Sequence, residues 1–236
     1  MPKLERYSKA LEYTYAPGIF PSMEAVRKCP ERVKRLLISE RAAGSGIDSL
    51  CALCAENHIR VEQADRVLRT LSGKENCFAA AAVEKAWEPL TGEKQILLHH
   101  IADRGNLGTI LRTALGLGYH DVGIVRPAAD VYDPHVIRAS MGAVFSLRVQ
   151  EYSSFEEYAQ QAGVREYYPF MLDSSIPLQK EMQTTSPFTL IFGNEGTGLP
   201  ASFAQVGTPV RIPQSNEVDS FNLSVAAAIA MFAFTK

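Results

Sequence analysis

Near the C-terminal end of the chain, one acid stands inside a glycine turn. The run Phe188-Thr-Leu-Ile-Phe-Gly-Asn-Glu-Gly-Thr-Gly-Leu-Pro200 holds Glu195 between Gly193 and Gly198. Glycines without a Cβ let a ligand come close to backbone amides and carbonyls, although a plain strand-end turn accounts for the same residues. Two further polar sets accompany it. Asn106 and Arg112 lie six apart on one predicted helix. That spacing puts Arg112 nearly two turns in, so the two side chains do not stack on one face. A capping asparagine and an arginine paired with a local acid is the plain alternative. Ser220-Phe-Asn222 opens an alanine-rich helix, where an N-cap box explains the set equally well.

These sets need elements that bring them together. Phe188 to Phe192 and Val210 to Ile212 are short apolar runs that read as buried parallel strands. Loops at the carboxyl ends of such strands are where open α/β sheets bind ligands. Residues 95–236 alternate strand and helix signals, which argues for a parallel sheet with crossover helices. The predicted strands are Gln95 to Ala102, Val122 to Val125, Tyr168 to Leu172, Phe188 to Phe192 and Pro209 to Ile212. The predicted helices are Leu107 to Leu117, capped by Asn106 and ended by Gly118, then Asp133 to Gly142, Phe155 to Ala162 and Asn222 to Phe234. Residues 1–90 read as a smaller α/β module: strand Val33 to Ser39, helix Ile47 to Asn57, strand Ile59 to Glu62, helix Ala64 to Leu71. Pro89 and Gly92 punctuate the linker between Trp87 and Lys94.

The 236 residues are 46% apolar with a net charge of −2, which supports a packed core and excludes a polycation. Residues 1–90 carry fourteen Lys/Arg against twelve Asp/Glu, a net of +2; the remainder carries ten against fourteen, a net of −4. The four cysteines, at 29, 51, 54 and 77, follow a charged N-terminus and read as reduced cytosolic thiols. Cys51, Cys54 and His58 resemble half a metal site, but no second ligand pair follows, and Ile47, Leu50, Cys51, Cys54 and His58 fall at helical spacing, which favours core packing. The apolar run Leu223 to Phe234 is too short to span a bilayer, so a cytoplasmic protein is expected. A Walker loop is excluded because Gly193 to Gly198 lacks the Lys-Ser/Thr end. Asp103-Arg-Gly-Asn-Leu-Gly108 has the wrong glycine spacing for a dinucleotide fingerprint. None of the five histidines stands by a nucleophile motif, and His99 and His100 read as packed or solvated.

The three polar sets occur together, and in order, in one known family. The chain resembles the SpoU-type RNA ribose 2′-O-methyltransferases of the SPOUT superfamily. The stretches that carry the resemblance are Asp103-x-Gly-Asn-Leu-Gly-Thr-Ile-Leu-Arg-Thr-Ala114, Ser140-Met-Gly-Ala143, Ile191-Phe-Gly-Asn-Glu-Gly-Thr-Gly-Leu199, and Ile212-Pro-Gln-Ser-Asn-Glu-Val-Asp-Ser-Phe-Asn-Leu-Ser-Val-Ala226. The resemblance covers 95–236; residues 1–90 more loosely resemble the L30e-like RNA-binding domain that precedes it in many ribosomal-RNA members. It implies an α/β fold, a parallel sheet with a C-terminal trefoil knot, behind that small domain. It implies S-adenosyl-L-methionine as cofactor, a homodimer that completes its site with the partner chain, and no metal. The implied substrate is RNA, with ribosomal RNA favoured by the extra module; a transfer-RNA enzyme and a non-catalytic RNA-binding protein of the same fold are the alternatives. Carried over by motif, Gly193, Asn194, Gly198, Ile212 and Phe221 would contact the cofactor, while Asn106, Arg112, Glu195, Ser220 and Asn222 would form the catalytic set. Phe221 stands where the family usually has leucine, which tightens the slot. Asn76-Cys-Phe78 stands where the usual turn is His-Gln-Gly. The local run Arg27, Lys28, Arg32, Lys34 and Arg35 is the expected phosphate contact.

Overall fold

A computed structural model describes residues 5–72, 77–173, 176–184 and 187–235. Packing divides the chain into two units: Met1–Ala86 with Asp130–Ser146, and Trp87–Ala129 with Leu147–Lys236. The break at Trp87 falls inside the linker read from the sequence. The assignment of 130–146 does not follow that reading, which ran one domain from 95 to 236. These residues associate with the first unit through partners more than a hundred positions away, such as the Thr14 hydroxyl donating to the Tyr132 carbonyl at 2.5 Å. No local pattern reports such a contact.

The first unit contains β1 (Tyr13–Pro17), α1 (Ile19–Lys28), β2 (Val33–Ile38), α2 (Ser45–Glu56), β3 (Val61–Gln63), α3 (Asp65–Ser72) and β4 (Ala79–Glu84). The sheet order is β1-β4-β2-β3, with β4 antiparallel to both neighbours and β3 parallel to β2. Sequence reasoning missed β1, α1 and β4. In β4 the residues are Ala-Ala-Ala-Ala-Val-Glu, and alanine has little intrinsic strand preference. Here small buried side chains in a central strand let α1 pack against it.

The basic run proves to be largely spent on its neighbours. Arg35 is buried on β2 and pairs with Glu62 at 2.9 Å. Lys34 pairs with Glu84, Arg32 donates to the Glu84 carbonyl at 2.8 and 3.1 Å, and Arg27 pairs with Glu24 at 3.5 Å. Strand alternation explains this: adjacent cations on a strand cannot all face water. Ile47, Leu50 and Cys54 are buried on α2, as core packing requires, and burial pushes the Cys54 thiol up to about 11. His58 is instead exposed beyond the helix end, at φ 55°. Asn76 lies outside the described residues.

The second unit begins with β5 (Lys94–His99), α4 (Arg104–Gly116) and β6 (Asp121–Val125). After α5 (Pro134–Ala139), which belongs to the first unit, come β7 (Arg148–Tyr152), α6 (Phe155–Ala162), β8 (Glu166–Pro169), β9 (Ile176–Pro177), β10 (Phe188–Phe192), β11 (Val210–Arg211) and α7 (Leu223–Ala233). Five strands make a parallel sheet in the order β7-β6-β5-β10-β8. Every residue of β10 is buried, as a continuous apolar run in a central parallel strand should be. The run at 210–212 is not a full strand of that sheet. Val210 and Arg211 pair in parallel with β9, Val210 adds a single parallel bridge to Phe170 just past β8, and Arg211 faces outward.

Asp121 ties the far edge of this sheet to the linker. Its carboxylate is 1% exposed and accepts from Arg148 Nε at 2.9 Å, Arg148 Nη2 at 2.5 Å and the Thr91 amide at 2.8 Å. Removing one partner of a buried pair strands the other charge. Arg148→Met should therefore lose about 3 kcal/mol of stability, the low end for such pairs because Arg148 is partly exposed. Urea unfolding monitored by circular dichroism checks this; a midpoint equal to wild type would contradict it.

Candidate active site at the carboxyl edge of the parallel sheet

The order β5-β10-β8 sets three loops side by side at one edge of the sheet. The loop after β10 is held by sterics first. A Cβ on Gly193 would fall onto the backbone of Gly198 and Leu199, so only glycine allows the chain to pass over itself here. Gly198 turns the loop back at φ +67°. Asn194 then braces it. Its Oδ1 accepts from the Gly196 and Thr197 amides at 2.9 and 3.2 Å, and its Nδ2 donates to the His100 carbonyl at 2.9 Å. The Asn194 and Gly198 backbones also pair with each other at 2.9 and 3.2 Å.

Glu195 reaches the loop after β5. Its carboxylate accepts from the Ala102 and Asp103 amides at 3.1 and 3.0 Å, and from Asn106 Nδ2 at 3.4 Å. These donors sit at the start of α4, where backbone amides lack helical partners. The cap of α4 is Asp103, which accepts from the Asn106 amide at 2.7 Å. This corrects the expectation that Asn106 caps. Asn106 lies inside the first turn, and its side chain is thereby released. Its Oδ1 accepts from Asn222 Nδ2 at 3.1 Å. Asn222 in turn caps α7, accepting from the Ser224 amide at 2.9 Å and hydroxyl at 2.7 Å. The cap and the bond to Asn106 thus coexist in one side chain.

Glu195, Asn106 and Asn222 form one continuous network. Arg112 stands apart from it: its guanidinium is exposed and makes no hydrogen bond or ion pair with the described residues. Ser220 is exposed and lines the neighbouring cavity. That cavity measures about 270 Å³, and Gly193, Asn194, Gly198 and Phe221 all line it. A smaller one of about 80 Å³ is lined by Ile212 and again by Ser220 and Phe221. Sequence reasoning missed the third wall of both cavities, Phe170, Met171 and Leu172. Phe170 stacks on buried Phe192 with ring centroids 4.9 Å apart. It falls inside the predicted strand Tyr168 to Leu172, whereas β8 ends at Pro169 and leaves Phe170, Met171 and Leu172 to the loop. The described walls offer what an adenosyl group requires: flat apolar surface from Phe170, Leu172 and Phe221, with exposed loop backbone beside it.

A sequence model of the SpoU rRNA Methylase family matches residues 93–232. Over 196 residues the chain is 33% identical to the 23S rRNA (adenosine(1067)-2′-O)-methyltransferase of Streptomyces laurentii, across 77% of this chain and 72% of that one. Over 145 residues it is 32% identical to the 23S rRNA (guanosine(2553)-2′-O)-methyltransferase RlmP of Bacillus subtilis. That match takes in 60% of this chain and 58% of the relative, so the chain spans little more than half of that relative's length. The AdoMet-bound rRNA methyltransferase from Sinorhizobium meliloti is 26% identical and has a similar fold, with a TM-score of 0.77 over 94% of this chain and 86% of that one.

The end of β5 carries a stacked pair, His99 and His100, with ring centroids 3.9 Å apart. Burial, and secondarily the neighbouring His100, lower the His99 pKa, while Glu156 opposes the shift. A histidine depressed in the folded state gives stability that is present above its unfolded pKa, about 6.5, and lost as pH falls through that region. Stability should fall between pH 7 and pH 5 in wild type, and His99→Phe should flatten that fall. Thermal melts across this range check it; equal pH slopes in the two proteins would contradict it.

Proposed function

Since this chain belongs to the SpoU rRNA Methylase family, we propose that it transfers a methyl group from S-adenosyl-L-methionine to a ribose 2′-hydroxyl of ribosomal RNA. The observation that carries this reading is the network of Glu195, Asn106 and Asn222, which ties the loop after β10 to the starts of α4 and α7 beside a cavity with an apolar wall. When bound, S-adenosyl-L-methionine would supply an electrophilic methyl carbon on a sulfonium, with a neutral thioether as the leaving group. The chain has two tasks: to hold the acceptor oxygen in line with that carbon, and to remove the hydroxyl proton. Alignment of this kind is worth several kcal/mol.

Gly193, Asn194, Gly198, Ile212 and Phe221 would hold the cofactor, Gly193 by leaving room and Asn194 by keeping the turn in shape. Glu195 fixes Asn106, and Asn106 fixes Asn222. Asn222 and Ser220 then orient the ribose. Guanidinium groups keep their proton in water, so a direct base role suits Arg112 poorly. With no partner in the described chain, its side chain is available to anchor the adjacent RNA phosphate. It would then stabilise the charge developing on the ribose oxygen while that phosphate accepts the proton.

The same reading extends to assembly and topology. Val225, Ile229 and Phe232 form an outward stripe on α7 and are 46%, 37% and 71% exposed. Apolar residues at this spacing on a helix favour a covered face, which supports a homodimer. The same reading gives the second unit a C-terminal trefoil knot, as the resemblance to the family implies. The first unit, with its four-stranded mixed sheet, is read as the L30e-like RNA-binding domain. Four free cysteines suit a cytoplasmic setting, and among the described residues no helix is long and apolar enough to cross a membrane.

Two measurements test these assignments. Labelled methyl transfer to ribosomal RNA should fall at least about a hundredfold in Arg112→Ala, while S-adenosylhomocysteine affinity by calorimetry stays near wild type. Wild-type turnover in that variant would overturn the role given to Arg112. Phe232→Asp should convert a dimer to a monomer in light scattering; an unchanged mass would remove α7 as the interface.

A further inference from the structure

A second cavity, of about 260 Å³, lies wholly in the first unit, at the carboxyl end of β2 and beside α3. Nothing in the methyl-transfer chemistry uses it. Its frame is rigid. The Ser39 hydroxyl donates to Asp65 Oδ1 at 2.5 Å and accepts from the Arg41 amide at 3.2 Å. Asp65 Oδ2 accepts from the Glu40 amide at 3.1 Å. These bonds lower the Asp65 pKa, Ser39 contributing most, so the carboxylate stays ionised and consumed by the frame.

Two guanidinium groups remain at the rim. Arg41 is exposed and has no hydrogen bond or ion pair from its side chain among the described residues. Arg69 sits one turn along α3 from Asp65 and, among the described residues, spends only its Nε, on the Asp65 carbonyl at 3.4 Å. A third cation, Arg138, acts electrostatically on the sulfur of Cys77. The floor is apolar: Leu68 and Cys77 are both buried, and burial keeps the thiol protonated. Glu40 also lines the rim, as an exposed acceptor.

Donors for phosphate, an apolar floor and one carboxylate acceptor match the parts of an unstacked nucleotide. Single-stranded RNA is read by splaying a base out, packing its face and bonding its edge, while arginines hold the backbone. The contrast with the run at 27–35 matters, since those cations are mostly paired already.

We propose that the cavity bounded by Arg41, Arg69 and Leu68 docks an unpaired RNA nucleotide away from the methyl acceptor, with one flanking phosphate on each arginine and its base over the Leu68–Cys77 floor. This rests on reading the chain as an RNA methyltransferase and names the surface by which its first unit holds substrate.

The test measures anisotropy of a short labelled RNA with the full-length protein, single-stranded or annealed to its complement, over a salt series. Arg41→Ala/Arg69→Ala should weaken single-strand binding about tenfold and reduce the salt slope by about 1.4, the value for two phosphate contacts. S-adenosylhomocysteine affinity should not change. The variant Arg41→Lys/Arg69→Lys, which keeps charge and packing, should hold the wild-type slope. Single-strand affinity within twofold of wild type in the alanine pair, in a protein that still methylates RNA, overturns the cavity assignment alone. So does an equal loss on duplex, or a lysine pair with the alanine slope. Wild-type protein that binds no RNA overturns both this assignment and the function beneath it.

Discussion

One carboxylate holds the site together. Glu195 projects from the loop after β10 and accepts amide protons from Ala102 and Asp103, at the start of α4. Helix starts present unpaired amides and a partial positive charge, so an anion there is favoured twice over. Because Glu195 also receives Asn106 Nδ2, the same contact sets the side chain that Asn222 then meets. Without it, among the described residues, only the Asn194–His100 bond would tie the loop after β10 to the loop after β5.

The arrangement depends on residues that serve structure and site at once. Asn222 caps α7 with its oxygen and reaches Asn106 with its nitrogen. Asn194 closes its own turn and fastens it to the His100 carbonyl. His100 adopts φ +60°, a costly conformation for a residue with a Cβ. That strain lies where the chain must leave β5 and turn toward Glu195. Gly193 contributes by absence, since the backbone of Gly198 occupies the space of a side chain. The cavity follows from these constraints: once the loops are fixed, Phe170 backed by Phe192 supplies its flat wall.

Much of this was legible in the residues. Phe188 to Phe192 announced a central strand by being apolar throughout, and Gly118 ended α4 with φ +78° as a helix-stopping glycine does. The grouping of the three polar sets came from the resemblance to the SpoU-type family, in which they occur in this order. What escaped were features set by distant partners or by competition between neighbours. Asp103 and Asn106 are both good capping residues, and only the geometry of the turn decides that Asp103 caps. The alanines of β4 carry no strand signal of their own, because burial between β1 and β2 selects them. Arg35 looks like a surface charge until Glu62 is placed beside it on β3. Residues 130–146 pack with a strand near the N-terminus, which no window of sequence contains.

The dependence on Glu195 can be measured directly. Glutamine at this position keeps the shape but offers one acceptor oxygen, and turns an amide group toward backbone amides. Charge-assisted bonds are worth about 1.5–3 kcal/mol, and the exposure of Glu195 places it at the low end. Calorimetric titration of Glu195→Gln with S-adenosylhomocysteine, on protein whose circular dichroism matches wild type, should show affinity weakened about tenfold. Affinity equal to wild type would contradict the claim that this carboxylate holds the cleft in its working shape.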